Sequence, residues 1–201
     1  SQPTEYGTLY SLQELEDISA ACRERGLKLF VDGARLAYSL ASPANDVSLA
    51  DIARLSDVFY IGGTKCGTLF GEAVVIPDGG SIRQFVTQMK QHGALLAKGR
   101  LLGVQFEALF EDDLYLTLGA PGVAATKRIR EALIRAGYVV TMDSPTNLTF
   151  VALDQAGHER LSRKVQYGIW ETLPDGRLLA RFCTSWGTPE EDIKAFEAAL
   201  A

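Results

Sequence analysis

Three short apolar runs, each stopped by residues that leave a sheet, constrain this chain most. Leu27-Lys28-Leu29-Phe30-Val31 ends at Asp32-Gly33, Val58-Phe59-Tyr60-Ile61 at Gly62-Gly63, and Ala73-Val74-Val75-Ile76 at Pro77-Asp78-Gly79-Gly80. Such runs, bounded by turn formers, read as buried strands. Helical material separates the first two. Ala34–Leu40 reads as a short helix, and Ser48 with Asp51 makes a capping signature for another. Upstream, Ser11 and Glu14 cap an amphipathic helix over about Leu12–Arg25, which Gly26 ends. Strands alternating with helices predict an α/β domain around a mainly parallel sheet. Three strands make a thin sheet whose faces both need cover. Further strands are therefore expected from the N-terminal side or from another chain.

After Gly80 the pattern changes. Helical periodicity runs from Ser81 to about Ala136, interrupted at Gly119-Ala120-Pro121-Gly122 and stopped at Gly137. Strands are predicted at Tyr138–Thr141, Leu148–Val151, Gly168–Thr172 and Leu178–Phe182. Helices are predicted at Gln155–Val165 and Pro189–Leu200, the latter with Pro189 at its first position after Thr188. A boundary is expected near Leu114–Pro121. It divides a sheet domain, residues 1–115, from a small α+β domain, residues 116–201.

Charge and composition narrow the function classes. The net charge of −5, from 20 basic and 25 acidic residues, disfavours nucleic acid as the main partner, which demands a basic face. No apolar run approaches the roughly 20 residues a membrane span requires, and the first residues lack the pattern of a signal peptide. Cys22, Cys66 and Cys183 lie far apart, without a CxxC pair, so neither a metal site nor a disulfide framework is expected. A reducing cytoplasm is the simplest compartment. The chain does not begin with Met, and is expected to be part of a longer product.

Asp32 and Lys65 both follow the carboxyl end of a predicted strand, the edge of an open α/β sheet where ligands bind. A pyridoxal-phosphate (PLP) enzyme needs this pair of groups. A lysine amine bonds the cofactor aldehyde, and a carboxylate keeps the pyridine nitrogen protonated so that the ring draws electrons. Taken singly, each residue has a plainer reading. Asp-Gly after a strand makes a turn, and a lysine among glycines occupies a surface loop. The spacing of Gly62–Gly71 does not fit a phosphate-binding loop, because Thr64 precedes Lys65 and Cys66 follows it.

The combination is more specific. Val31-Asp32-Gly33-Ala34-Arg35-Leu36, followed by Asp57-Val58-Phe59-Tyr60-Ile61-Gly62-Gly63-Thr64-Lys65, resembles the threonine aldolase branch of the β-eliminating lyases. The stretches Thr4–Leu15 and Leu69–Val75 share that likeness. The resemblance implies part of a PLP fold-type I large domain, with its N-terminal strands missing, followed by a small α+β domain. It implies PLP as cofactor, with Asp32 at the pyridine nitrogen, Ala34 against the ring, Thr64 nearby and Lys65 as the catalytic amine. It assigns Arg35 and Arg181 to the substrate carboxylate; two arginines would fix orientation as well as charge. A strand-end salt bridge is the alternative for Arg181. Lys90, Lys98 and Arg100, in the helical stretch Met89–Gly103, match a basic segment that reaches a neighbouring subunit's cofactor phosphate, or else form a solvated helix face.

The family pattern begins before residue 1. Its glycine-rich phosphate loop and its ring-stacking histidine have no counterpart here, since neither His92 nor His158 matches that position. The chain is therefore expected to be a C-terminal portion of a threonine aldolase, truncated and of uncertain activity alone. The expected reaction of the whole is retro-aldol cleavage of threonine or allo-threonine to glycine and acetaldehyde. Another PLP-dependent β-eliminating lyase and a non-catalytic dimerising remnant are the alternatives. The implied partners are a small β-hydroxy amino acid and further copies of the chain, with neither nucleic acid nor membrane.

Overall fold

The computed structural model describes all residues, 1–201. Helix α1 (Leu12–Glu24) starts where the sequence places it. Ser11 Oγ accepts from the Glu14 N–H, and the Glu14 carboxylate accepts from the Ser11 N–H at 2.8 Å. The chain then enters β1 (Phe30–Val31), α2 (Leu36–Leu40), α3 (Leu49–Leu55), β2 (Val58–Ile61) and β3 (Ala73–Val75). The Ser48–Asp51 capping box of α3 is also present.

The first sheet has the order β1-β2-β3. β1 and β2 are parallel, with Phe30 opposite Val58, as the α2–α3 crossover requires. β3 departs from the parallel expectation. It runs antiparallel to β2, with Phe59 opposite Val75 and Ile61 opposite Ala73. The reason lies in the connection: the loop from Gly62 to Glu72 forms turns rather than a crossover helix, so the chain can only return alongside β2. β1 is also shorter than its apolar run, of which only Phe30 and Val31 pair with β2.

The long helical stretch after Gly80 divides into α4 (Phe85–Gln91), α5 (Arg100–Phe110), α6 (Leu114–Leu118) and α7 (Ala120–Arg135). The continuous helix expected over Met89–Gly103 is broken. Gly93, at φ 70°, donates to the Lys90 carbonyl, and Ala94 donates to that of Met89 at 2.8 Å. This is a Schellman ending, which a left-handed glycine makes inexpensive. Gly137 closes α7 in the same way, with Tyr138 N–H on the Leu133 carbonyl.

A second sheet follows, of order β4-β5-β7-β6 and antiparallel throughout. Its strands are β4 (Val139–Val140), β5 (Leu148–Leu153), β6 (Gly168–Thr172) and β7 (Leu178–Cys183). Helix α8 (Gln155–Ser162) is capped by Asp154. α9 (Glu190–Leu200) begins one residue later than predicted, with Pro189 as its N-cap. α7 and α9 cover one face of this sheet, and Arg128 joins them by bonding both Glu190 and Glu197.

Two main cores result. One gathers Leu15, Leu36, Ile52, Phe59 and Tyr115; the other Ile129, Leu133, Val151, Ala180 and Ile193. The N-terminal segment links them. Tyr6 packs on Phe150 and Trp170, and Thr146 donates its hydroxyl to the Gly7 carbonyl at 2.9 Å.

Candidate active site

Asp32 stands directly after β1. Its Oδ1 accepts from the Ala34 N–H at 3.0 Å and from the Tyr60 hydroxyl, while Oδ2 has no protein partner. Burial alone raises the Asp32 carboxyl. The Tyr60 and Ala34 hydrogen bonds, then the positive charges of the Ser1 amino group and of Lys65, outweigh that effect and hold it below the ordinary carboxylate value. Burial, reinforced by the Asp32 hydrogen bond, keeps the Tyr60 phenol protonated. Asp32 is therefore a fixed anion at neutral pH with one oxygen free.

Lys65 lies in the turn that leaves β2. Its main chain is held closely: the Tyr38 hydroxyl donates to the Lys65 carbonyl at 2.5 Å, and Tyr115 donates to that of Gly62 at 2.9 Å. Glu72 accepts from the Gly63 N–H and, at 2.9 Å, from the Thr64 hydroxyl. Gly62 donates to the Gly33 carbonyl at 2.9 Å, so the two strand ends touch through main chain. A methyl group on Gly62 would lie 2.5 Å from carbonyl oxygens of Gly33 and Ala34. Gly62 thus lets the Asp32 and Lys65 segments approach, while Gly63 makes room for the Gly71 carbonyl. The Lys65 side chain itself is exposed and makes no ion pair.

Ala34 and Arg35 follow Asp32 in the turn before α2. Arg35 is half-buried, and its Nε is buried with no hydrogen-bond partner. An unpaired guanidinium donor in the interior is costly. Arg181 is placed differently. It lies on β7 with its guanidinium 4.6 Å from the Trp170 ring centroid, a cation–π arrangement. It makes no salt bridge, so the ion-pair alternative does not hold. No hydrogen bond connects Arg181 to Asp32, Arg35 or Lys65. The loop after β7 nevertheless returns to the first sheet, where the Trp186 N–H donates to the Tyr38 hydroxyl at 3.4 Å.

The remaining basic residues do not gather there. Lys90, Lys98 and Arg100 are exposed, and Lys98 precedes α5 rather than lying within a helix. His92 ends α4 in solvent, and His158 Nδ1 bonds the Tyr167 hydroxyl at 2.8 Å. Tyr38, Tyr60, Glu72 and Tyr115 are the site residues to which sequence reasoning assigned no role. For Tyr60 a signal existed, a phenol on a strand aligned one residue beyond β1; the others act across long sequence distances.

A sequence model of the family described as beta-eliminating lyase matches residues 2–166. The chain belongs to the beta-eliminating lyase family. Among relatives of this chain, the low specificity L-threonine aldolase of Pseudomonas aeruginosa is 31% identical over 199 residues, covering 96% of this chain and 56% of that protein. A solved threonine aldolase of Leishmania major is 45% identical with a TM-score of 0.92, covering 99% of this chain and 58% of that one. The chain thus spans little more than half the length of these two proteins. A PLP-bound putative aminotransferase of Clostridium difficile, 16% identical with a TM-score of 0.62 over all of this chain and 57% of that one, shares the fold alone. The α/β arrangement is that of the fold-type I enzymes. No helix is long and apolar enough to cross a membrane.

Proposed function

We propose that this chain carries part of a PLP-dependent aldolase site that cleaves threonine or allo-threonine to glycine and acetaldehyde. The observation that carries this reading is the pairing of an anionic Asp32, one carboxylate oxygen free, with an unpaired Lys65 on a fixed turn. The donor set fits the cofactor, since PLP presents one protonated ring nitrogen and one aldehyde.

When bound, PLP supplies the electron sink for cleavage beside the amino-bearing carbon. Asp32, with Oδ2 free, would hold the proton on the ring nitrogen. Lys65 would supply the primary amine that holds the cofactor through its aldehyde. Ala34 leaves room for the ring face, and Thr64, oriented by Glu72, stands beside the lysine. Arg35 offers its unpaired Nε to the substrate carboxylate, with Arg181 as the second arginine. The group that takes the β-hydroxyl proton is not assigned to a residue of this chain.

The likeness to threonine aldolases favours retro-aldol cleavage over other β-elimination. Product analysis separates them: cleavage of threonine gives glycine and acetaldehyde, whereas loss of its hydroxyl gives a 2-oxo acid and ammonia. The site is tested by absorbance with PLP before and after borohydride. A reducible band, lost in Lys65→Ala, supports the reading; a band that persists in Lys65→Ala overturns it.

Association with further copies of the chain is also proposed. Leu69, Phe70, Leu96, Leu101 and Val104 are exposed apolar residues of the Lys65 loop and of the segment running into α5, surface of the kind that partner chains cover. A clean monomer by light scattering at micromolar concentration counts against this. We place the division into domains between residues 115 and 116, supported by the separate cores, and the protein in the cytoplasm, supported by three free cysteines.

A further inference from the structure

We propose that Tyr60 is a positioning residue for the cofactor: its hydroxyl holds Asp32 as an anion with Oδ2 directed at the pyridine nitrogen. The inference rests on the PLP reading above and adds a residue to it.

The argument begins with register. Phe30 faces Val58 and Val31 faces Phe59 across the parallel pair. Tyr60 therefore stands level with the point at which β1 ends and Asp32 begins. Alternation buries Phe59 and Ile61 on one face. It turns Tyr60 to the other, where its ring lies 5.9 Å from that of Phe30 and its hydroxyl reaches Asp32.

The bond has a direction. A carboxylate only accepts, so the phenol donates. Tyr60 and the Ala34 N–H both engage Oδ1. Two donors on one oxygen fix the carboxylate plane and leave the other oxygen to an external donor. Hydrogen bonds to the charged form also favour that form, which offsets the burial of Asp32. A pyridine nitrogen keeps its proton only beside a group that stays ionised. A mere packing role for Tyr60 does not require the hydroxyl, and Phe in its place preserves the ring.

The test compares wild type, Tyr60→Phe, Asp32→Asn and the double variant of the full chain. The Asp32 carboxyl is followed first by carbon-13 NMR across acidic pH without cofactor. Removal of the hydroxyl is expected to move its midpoint upward. PLP titration then reads dissociation constants. Tyr60→Phe is expected to weaken binding about 10-fold, the scale of one hydrogen bond to a charged group, and to release PLP at higher pH than wild type. In the Asp32→Asn background the same change is expected to have little further effect, because its partner charge is gone. That cycle separates a specific coupling from general loosening.

An Asp32 midpoint unmoved in Tyr60→Phe overturns the inference, as does equal PLP affinity of Tyr60→Phe and wild type. Equal losses in both backgrounds also overturn it. A wild-type chain that takes up no PLP overturns the functional reading itself, and the inference with it.

Discussion

The Tyr38 hydroxyl donates to the main-chain carbonyl of Lys65 at 2.5 Å and accepts from the Trp186 N–H at 3.4 Å. A single buried phenol thus joins the turn that bears the lysine to the loop that follows β7. Burial keeps that phenol protonated far above neutral pH, so it remains a donor throughout the working range.

Tyr38→Phe preserves the ring but leaves the Lys65 carbonyl without its donor. A loss of about 1–2 kcal/mol is expected, read from denaturant midpoints at unchanged slope. Limited proteolysis is expected to cut more readily between Gly62 and Glu72. An unchanged midpoint and cleavage pattern would show that the bond holds nothing in place.

Gly62→Ala introduces a methyl group 2.5 Å from two carbonyl oxygens of the Asp32 turn. Backbone rather than a flexible side chain must move, so the cost is expected to reach about 1–3 kcal/mol or more. Thermal melts measure it. Attachment of PLP should weaken in parallel, because the same shift separates Lys65 from Asp32.

Arg35→Met is expected to divide stability from function. The buried Nε has no partner, so an apolar replacement should leave stability unchanged or raise it by about 1 kcal/mol. Glycine binding, read from the spectrum of bound PLP, should weaken by about 10- to 100-fold as a charge-assisted carboxylate contact is lost. PLP uptake should not change. A variant that melts early yet binds glycine normally would assign Arg35 to structure alone.

Cys66 is fully buried, and that burial raises its thiol from 9.0 to about 11. The folded form therefore keeps a proton that the unfolded chain releases. Its contribution is complete below pH 9 and is lost as pH rises through about 11, by on the order of 2–3 kcal/mol. Stability measured between these values should fall, and Cys66→Ala should flatten the fall. Thiol reagents should modify exposed Cys183 in the native protein and Cys66 only on unfolding.

Local signals in the sequence were legible because their physics is local. Ser11–Glu14 and Ser48–Asp51 satisfy helix donors three residues away, and Gly137 ends α7 through its own backbone. Asp32, Ala34, Arg35, Thr64 and Lys65 could be proposed from sequence because chemistry restricts which residue types can serve and a family likeness fixes their spacing. The orientation of β3 was not legible. An apolar run has the same composition in either direction, and the loop before it decides. The supports of the site were hidden for a different reason. Tyr38 meets Lys65 across 27 positions and Tyr115 meets Gly62 across 53, contacts that exist only once the sheet and α2 have assembled.

The turn at Lys65 is fixed by its peptide groups, not by its side chain. Every bond that orders it ends on a carbonyl, an amide or the neighbouring Thr64 hydroxyl, and the ε-amine is left to solvent. The four-carbon arm can sweep several ångströms about a stationary Cα. On the proposed reading, a covalent partner could be gained and released by rotation about side-chain bonds, with the main chain of the turn left where its hydrogen bonds hold it.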